Sequence, residues 1–151
     1  STRSGAPTGC RLHNNSEKEI TVMTTETAVS KTADNREAIE AISSVIQVYV
    51  EGGRKGDAAI MKRAFREDAT IHGHIDGGLL AGPIHLLFDF VAGNPPAPEL
   101  EAKIANIDLA DTVATARVEL TGWLGQRYTD QFTLLKENGA WTITSKVFHT
   151  H

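Results

Sequence analysis

An α+β domain, helices first and a strand meander after, is predicted by three features of this chain. Apolar residues recur mainly at helical spacing before residue 94, they alternate with period two from Glu99 onward, and the breaker Asn94-Pro95-Pro96-Ala97-Pro98 separates the two regimes. With 151 residues, 40% hydrophobic and 23% charged, the chain has material for one core and not for two. A net charge of -4 without any Lys/Arg stripe argues against nucleic acid or an anionic membrane as partner. No apolar run approaches a bilayer span and no charged start followed by an apolar block resembles a secretory signal, so a cytoplasmic protein is expected. The single Cys10, set among turn formers, excludes an internal disulfide and a thiolate metal site.

Residues 1–33 are rich in Ser, Thr, Asn, Gly and Glu, with apolar residues only scattered, and read as a flexible arm or a leader carried over from upstream. Met23, opening Met-Thr-Thr-Glu, is a candidate natural start; Asn14-Asn15-Ser16 matches a glycosylation acceptor by chance if the chain is never secreted. The domain is expected over 34–151. Asp34 or Asn35 caps a first helix whose stripe is Ile39, Ile42, Ile46, Tyr49 and Val50, with Gly52-Gly53 ending it. Asp57 caps a second, short helix carrying Ile60, Met61, Ala64 and Phe65. A strand over 69–74 and a turn at Asp76-Gly77-Gly78 follow, then Pro83 sits at the first position of a third helix bearing Ile84, Leu87, Phe88 and Val91. Three strands are expected over about 99–109, 112–124 and 127–137, the first bulged near Ala105 or Asn106 where the apolar parity changes. Asn138-Gly139 supplies a hairpin turn, and a last strand from Ala140 to about His149 places Trp141, Ile143, Ser145, Val147 and His149 on one face.

The chemistry begins with Asp130. In Tyr128-Thr129-Asp130-Gln131-Phe132-Thr133-Leu134, alternation puts this carboxylate on the face that carries Tyr128, Phe132 and Leu134. An ionised carboxylate in an apolar interior is costly, so it must be hydrogen-bonded, paired with a cation such as Arg127 or Arg117, or kept protonated. His149, on the face assigned to Trp141 and Val147, is a candidate general acid or base, or a histidine satisfied locally. His72 and His74 share a strand face; if Ile71 and Gly73 point inward, both point outward and no metal site forms. His85 lies at a pocket mouth or in solvent. Trp123 falls out of phase with Leu120, Gly122 and Leu124, which puts it on the outer face of the sheet and implies a homodimer contact.

Two stretches carry a resemblance. The run Val45-Ile46-Gln47-Val48-Tyr49-Val50-Glu51 through Gly56-Asp57, with Ala64-Phe65 to Asp68-Ala69-Thr70-Ile71, resembles the opening of ketosteroid isomerases and SnoaL-like polyketide cyclases. The end, Thr129-Asp130-Gln131-Phe132-Thr133-Leu134-Leu135-Lys136 with Gly139-Ala140-Trp141-Thr142-Ile143 and Lys146-Val147-Phe148-His149, is similar to the bacterial "putative lumazine-binding" family. Both belong to the nuclear transport factor 2-like superfamily, which implies a cone: a curved antiparallel sheet, cystatin-like, closed by three N-terminal helices. The resemblance also implies that Tyr49 stands where the isomerases keep an oxyanion-stabilising tyrosine and Asp130 where they keep a protonated aspartic acid. Their catalytic aspartate on the first strand is replaced by Gly73.

The expectation is therefore a small-molecule-binding protein with a largely apolar pocket lined by Phe65, Gly73, Phe88, Tyr128 and Phe132. Its ligand bears a carbonyl or hydroxyl that Tyr49 and Asp130 polarise, and His149 moves a proton, in a cofactor-free isomerisation, dehydration or cyclisation. The alternatives are a non-catalytic carrier and a protein-assembly domain whose interior is filled.

Overall fold

The computed structural model describes the backbone of residues 13–151 and the side chains of residues 34–151. Cys10 lies outside them, as do the side chains of Asn14, Asn15, Ser16 and Met23. The chain divides into two compact units, Ser1–Arg36 and Glu37–His151, and the architecture below is that of the second.

Helix α1 spans His13–Lys55. Asp34 and Asn35 are thus helical residues and not caps, because no Gly or Pro interrupts the chain between Arg11 and Glu51. Of its expected stripe, Ile42, Ile46, Tyr49 and Val50 are completely buried, while Ile39 is 41% exposed. Gly52 and Gly53 do not end it, contrary to expectation. They are close-contact positions: a Cβ on Gly52 would stand 2.6 Å from Met61 Cβ, and one on Gly53 would stand 2.7 Å from Leu100 Cδ2. The helix ends at Gly56, whose φ of 62° is left-handed. There the Gly56 N–H donates to Gly53 and the Asp57 N–H donates to Gly52, the paired bonds of a Schellman cap. Asp57 then caps α2 (Ala58–Lys62), its carboxylate accepting from the Ala59 and Ile60 N–H groups.

Strand β1 (Phe65–Ile75) starts earlier than its apolar run predicts, so Phe65 is a strand residue and not the end of α2. Past the Asp76-Gly77 turn, Gly78–Pro83 forms an edge strand, β2, paired with β1. The sequence reading missed β2: two glycines and a proline hide a strand with only one sheet neighbour. Pro83 closes β2, and α3 (His85–Ala92) begins beyond it with Ile84 as N-cap. Four strands complete the unit: β3 (Glu101–Ala110), β4 (Val113–Trp123), β5 (Gln126–Glu137) and β6 (Ala140–Thr150). The sheet order is β2-β1-β6-β5-β4-β3. Every pairing is antiparallel, as expected of the sheet, except β1 with β6, which is parallel.

Three irregularities decide which side chains face the core. In β3 the register shifts between Ile104 and Asn106, as the parity change predicts. In β4 it shifts between Leu120 and Trp123, where Gly122 takes φ 73° with the Glu99 carbonyl so close that a Cβ would stand 2.4 Å from its oxygen. This slip turns Trp123 into the core, 5% exposed. The sequence assigned it to the outer face, and the dimer argument built on that assignment loses its footing. In β6, Thr133 pairs with Ser145 but Leu134 with Ile143, leaving Thr144 as an extra residue. Hydroxyls pin the slip: Thr144 Oγ1 lies 2.8 Å from Thr133 Oγ1, which lies 2.8 Å from Ser145 Oγ. Beyond it the inward set becomes Lys146 and Phe148, while Val147 and His149 face out.

Candidate functional site

Among the described residues two charged side chains are buried, Asp130 on β5 at 0% exposed and Lys146 on β6 at 4%. Asp130 and Lys146 are diagonal neighbours, since Asp130 pairs with Phe148 and Lys146 with Phe132. Tyr49, brought over this face by α1, joins them. Its hydroxyl donates to Asp130 Oδ2 at 2.7 Å and accepts from Lys146 Nζ at 2.7 Å, while Nζ stands 3.6 Å from Asp130 Oδ2. The three groups form one short chain, Lys146 to Tyr49 to Asp130, inside the protein. Asp130 Oδ1 has no hydrogen-bond partner.

Burial sets the electrostatics. Desolvation pushes the Asp130 carboxyl up from its ordinary value, against the opposing pull of Lys146 and the Tyr49 hydrogen bond. Desolvation likewise pushes the Lys146 ammonium down, with Asp130 opposing it. Tyr49 is driven well above an ordinary phenol, first by burial and then by the adjacent carboxylate. The phenol stays protonated, and burial drives the amine and the carboxyl alike toward their neutral forms. Aromatic faces surround the amine: Nζ lies 4.9 Å from the Tyr49 ring centroid, 5.2 Å from Trp123 and 5.3 Å from Phe148.

Lys146 also reaches open space. A cavity of about 40 Å³ is lined by this residue together with Ile71, Leu87, Trp123, Tyr128 and Phe148, among others. Tyr49 and Asp130 are not on its wall; they stand one hydrogen bond behind Lys146. The arrangement presents an amine at the end of an apolar hollow, with a phenol and a carboxyl behind it to take or return a proton.

The residues expected at the site are distributed as follows. Tyr49 and Asp130 meet, and Tyr128 lines the cavity. Phe132 packs edge-on against Tyr49 in the solid core. Gly73 lies under the Phe148 ring, where a Cβ would come within 2.4 Å of Cδ1. The ring therefore fills the space into which any side chain at 73 would project, and no carboxylate fits there. Phe65 and Phe88 border a separate surface cleft of about 400 Å³ with His85, Lys62 and Arg66. His149 is exposed and does not enter the cavity, because the Thr144 slip reverses the parity on which its candidacy rested. His72 and His74 face outward, and no group of three or more metal-ligating side chains converges among the described residues. Arg117 pairs with Glu119 and not with Asp130. Lys146 went unnoticed, although Phe148 carried its signal: an aromatic two residues away has the stronger claim to the interior than Val147 or His149.

Comparison with known proteins agrees with this architecture. The family described as "putative lumazine-binding" matches residues 37–149, and the chain belongs to it. Its fold is that of the nuclear transport factor 2-like proteins. A nuclear transport factor 2-like protein of unknown function from Shewanella baltica superposes with a TM-score of 0.72 at 45% identity, covering 76% of this chain and 94% of that one. Another, from Methylobacillus flagellatus, gives 0.74 at 41% identity, over 76% and 93%. Among curated proteins, the aldolase FrzH of a Cladobotryum species is 32% identical over 113 residues, 74% of this chain and 90% of that protein. No helix among the described residues is long and apolar enough to cross a membrane.

Proposed function

We propose that this protein binds a small, largely apolar carbonyl compound in the hollow capped by Lys146 and catalyses cofactor-free chemistry beside that carbonyl. The observation that carries the reading is a buried amine on the wall of an apolar cavity, hydrogen-bonded to a phenol–carboxyl pair. Such a group takes a proton from the carbon next to a carbonyl, or gives one to its oxygen, and the pair behind it keeps the proton count. Lys146 takes the proton-moving role that the sequence assigned to His149. Enolisation of this kind is shared by isomerisation, dehydration and aldol chemistry. The aldolase among the relatives supports the last of these, which makes or breaks a carbon–carbon bond next to the carbonyl.

Native mass spectrometry of protein purified from cells tests the reading. A small molecule should be retained by the wild type and its occupancy should fall in Lys146→Met. A wild type that retains nothing, and whose tryptophan emission is unmoved by small ketones, would sink it. One observation favours a second reading, a carrier or assembly domain: the cavity is only about 40 Å³. Under that reading Lys146, Tyr49 and Asp130 variants change stability and nothing else.

A further inference from the structure

We propose that Lys146 acts as a covalent nucleophile, forming an iminium with a small aldehyde or unhindered ketone held in the cavity. The inference rests on the carbonyl-binding reading above and goes past proton transfer. Its basis is the hydrogen-bond geometry. An ammonium at this position has three N–H donors, and among the described residues the only side-chain oxygen within hydrogen-bond distance is the Tyr49 hydroxyl at 2.7 Å, with Asp130 Oδ2 standing off at 3.6 Å. A neutral amine donates that one bond and keeps a lone pair for the cavity it lines. Burial pushes the group toward the neutral form, in agreement with the geometry.

The step balances with groups already present. The amine lone pair adds to the carbonyl carbon as the C=O π pair moves to oxygen, and a nitrogen proton passes to that oxygen, giving a carbinolamine. The C–O bond then breaks as the oxygen takes a proton that Asp130 supplies by way of the Tyr49 hydroxyl and Nζ, and leaves as water. An iminium cation and the Asp130 carboxylate remain, an ion pair in place of the neutral pair. The three aromatic faces within about 5 Å of Nζ stabilise the new cation. Tyr49 and Asp130 act through Lys146 and are positioning residues. Cavity size confines the partner to a carbonyl compound of a few heavy atoms, of which 2-butanone is a usable example.

The test is reductive trapping in the intact protein. Wild type is incubated with 2-butanone and sodium cyanoborohydride at pH 7, and alkylation is mapped by peptide mass spectrometry. Exposed Lys55, Lys62, Lys103 and Lys136 serve as internal references. An amine held neutral needs no deprotonation before it attacks, so Lys146 should be alkylated several-fold faster than the references. Tyr49→Phe should slow Lys146 alkylation and leave the references unchanged. Quenching of tryptophan emission by the ketone reports binding separately. Saturable quenching with Lys146 alkylated no faster than the references overturns the iminium and leaves the binding reading intact. No quenching and no selective alkylation overturns both.

Discussion

Replacing Lys146 by Met should convert a pH-insensitive interior into a pH-sensitive one. Whether neutral or an ion pair, Asp130 and Lys146 carry one proton between them when folded, and the unfolded chain also holds one on the same two residues, the ammonium proton. Proton counts match, so this pair adds no slope to stability. In Lys146→Met the methionine fills similar volume, and the carboxyl loses both the cation 3.6 Å away and its downward pull. Fully desolvated, Asp130 keeps its proton in the folded state while the unfolded chain releases it above about pH 4. A folded-state pKa raised above the unfolded value means that stability falls as pH rises through the interval between them. The slope is about 1.4 kcal/mol per pH unit for one proton. Between pH 4 and pH 7 the variant should therefore drop by up to about 4 kcal/mol relative to wild type, comparable to the roughly 3–5 kcal/mol lost when a buried pair is broken. Urea unfolding at half-unit steps from pH 5 to 8, followed by emission of the buried Trp123 and Trp141, measures the gap. Adding Asp130→Asn to Lys146→Met should abolish its slope. A gap between Lys146→Met and wild type that stays constant over this range would refute the shared-proton argument.

Other substitutions probe the same framework. Tyr49→Phe keeps the ring contacts but removes a hydroxyl bonded on both sides, and should cost about 1–3 kcal/mol in urea unfolding; a change within about 0.5 kcal/mol would mean the bridge contributes nothing net. Gly73→Ala drives a Cβ into the Phe148 ring and should destabilise by about 1–3 kcal/mol, with the ring displaced in a crystal structure of the variant. For Gly52→Ala, helix propensity offers about 1 kcal/mol of gain, but the methyl would meet Met61 Cβ, Cα and N within 2.8 Å. Overpacking against backbone should win, lowering the thermal midpoint.

Patterns that need only local rules were legible in the sequence. Asp57 announced a cap, Asn138-Gly139 a hairpin with both residues at positive φ, and the parity change in β3 its bulge. Asp130 was found because a carboxylate among Tyr128, Phe132 and Leu134 violates the inside-out rule. What escaped depended on tertiary contacts. The slip at Gly122 exists because the Glu99 carbonyl crowds that backbone, and nothing near Trp123 in sequence states it. The slip at Thr144 is written in hydroxyls that read as an ordinary polar stretch, so His149 was a candidate for the inward face and Lys146 went unnoticed. Gly52-Gly53 looked like a stop signal because the partners that require small residues there, Met61 and Leu100, come later in the chain.

The extra residue at Thr144 works as a selector. Everything C-terminal to it in β6 presents one alternating set of side chains to the hollow, Lys146 and Phe148, and shows solvent the other, Ser145, Val147 and His149. Drawing that one residue into the ladder opposite Thr133 would exchange the two sets, whereas deleting it would straighten the strand and leave Lys146 and Phe148 facing inward. A scaffold made this way can trade an amine for an imidazole through one bulge, with no substitution at any of the exchanged positions.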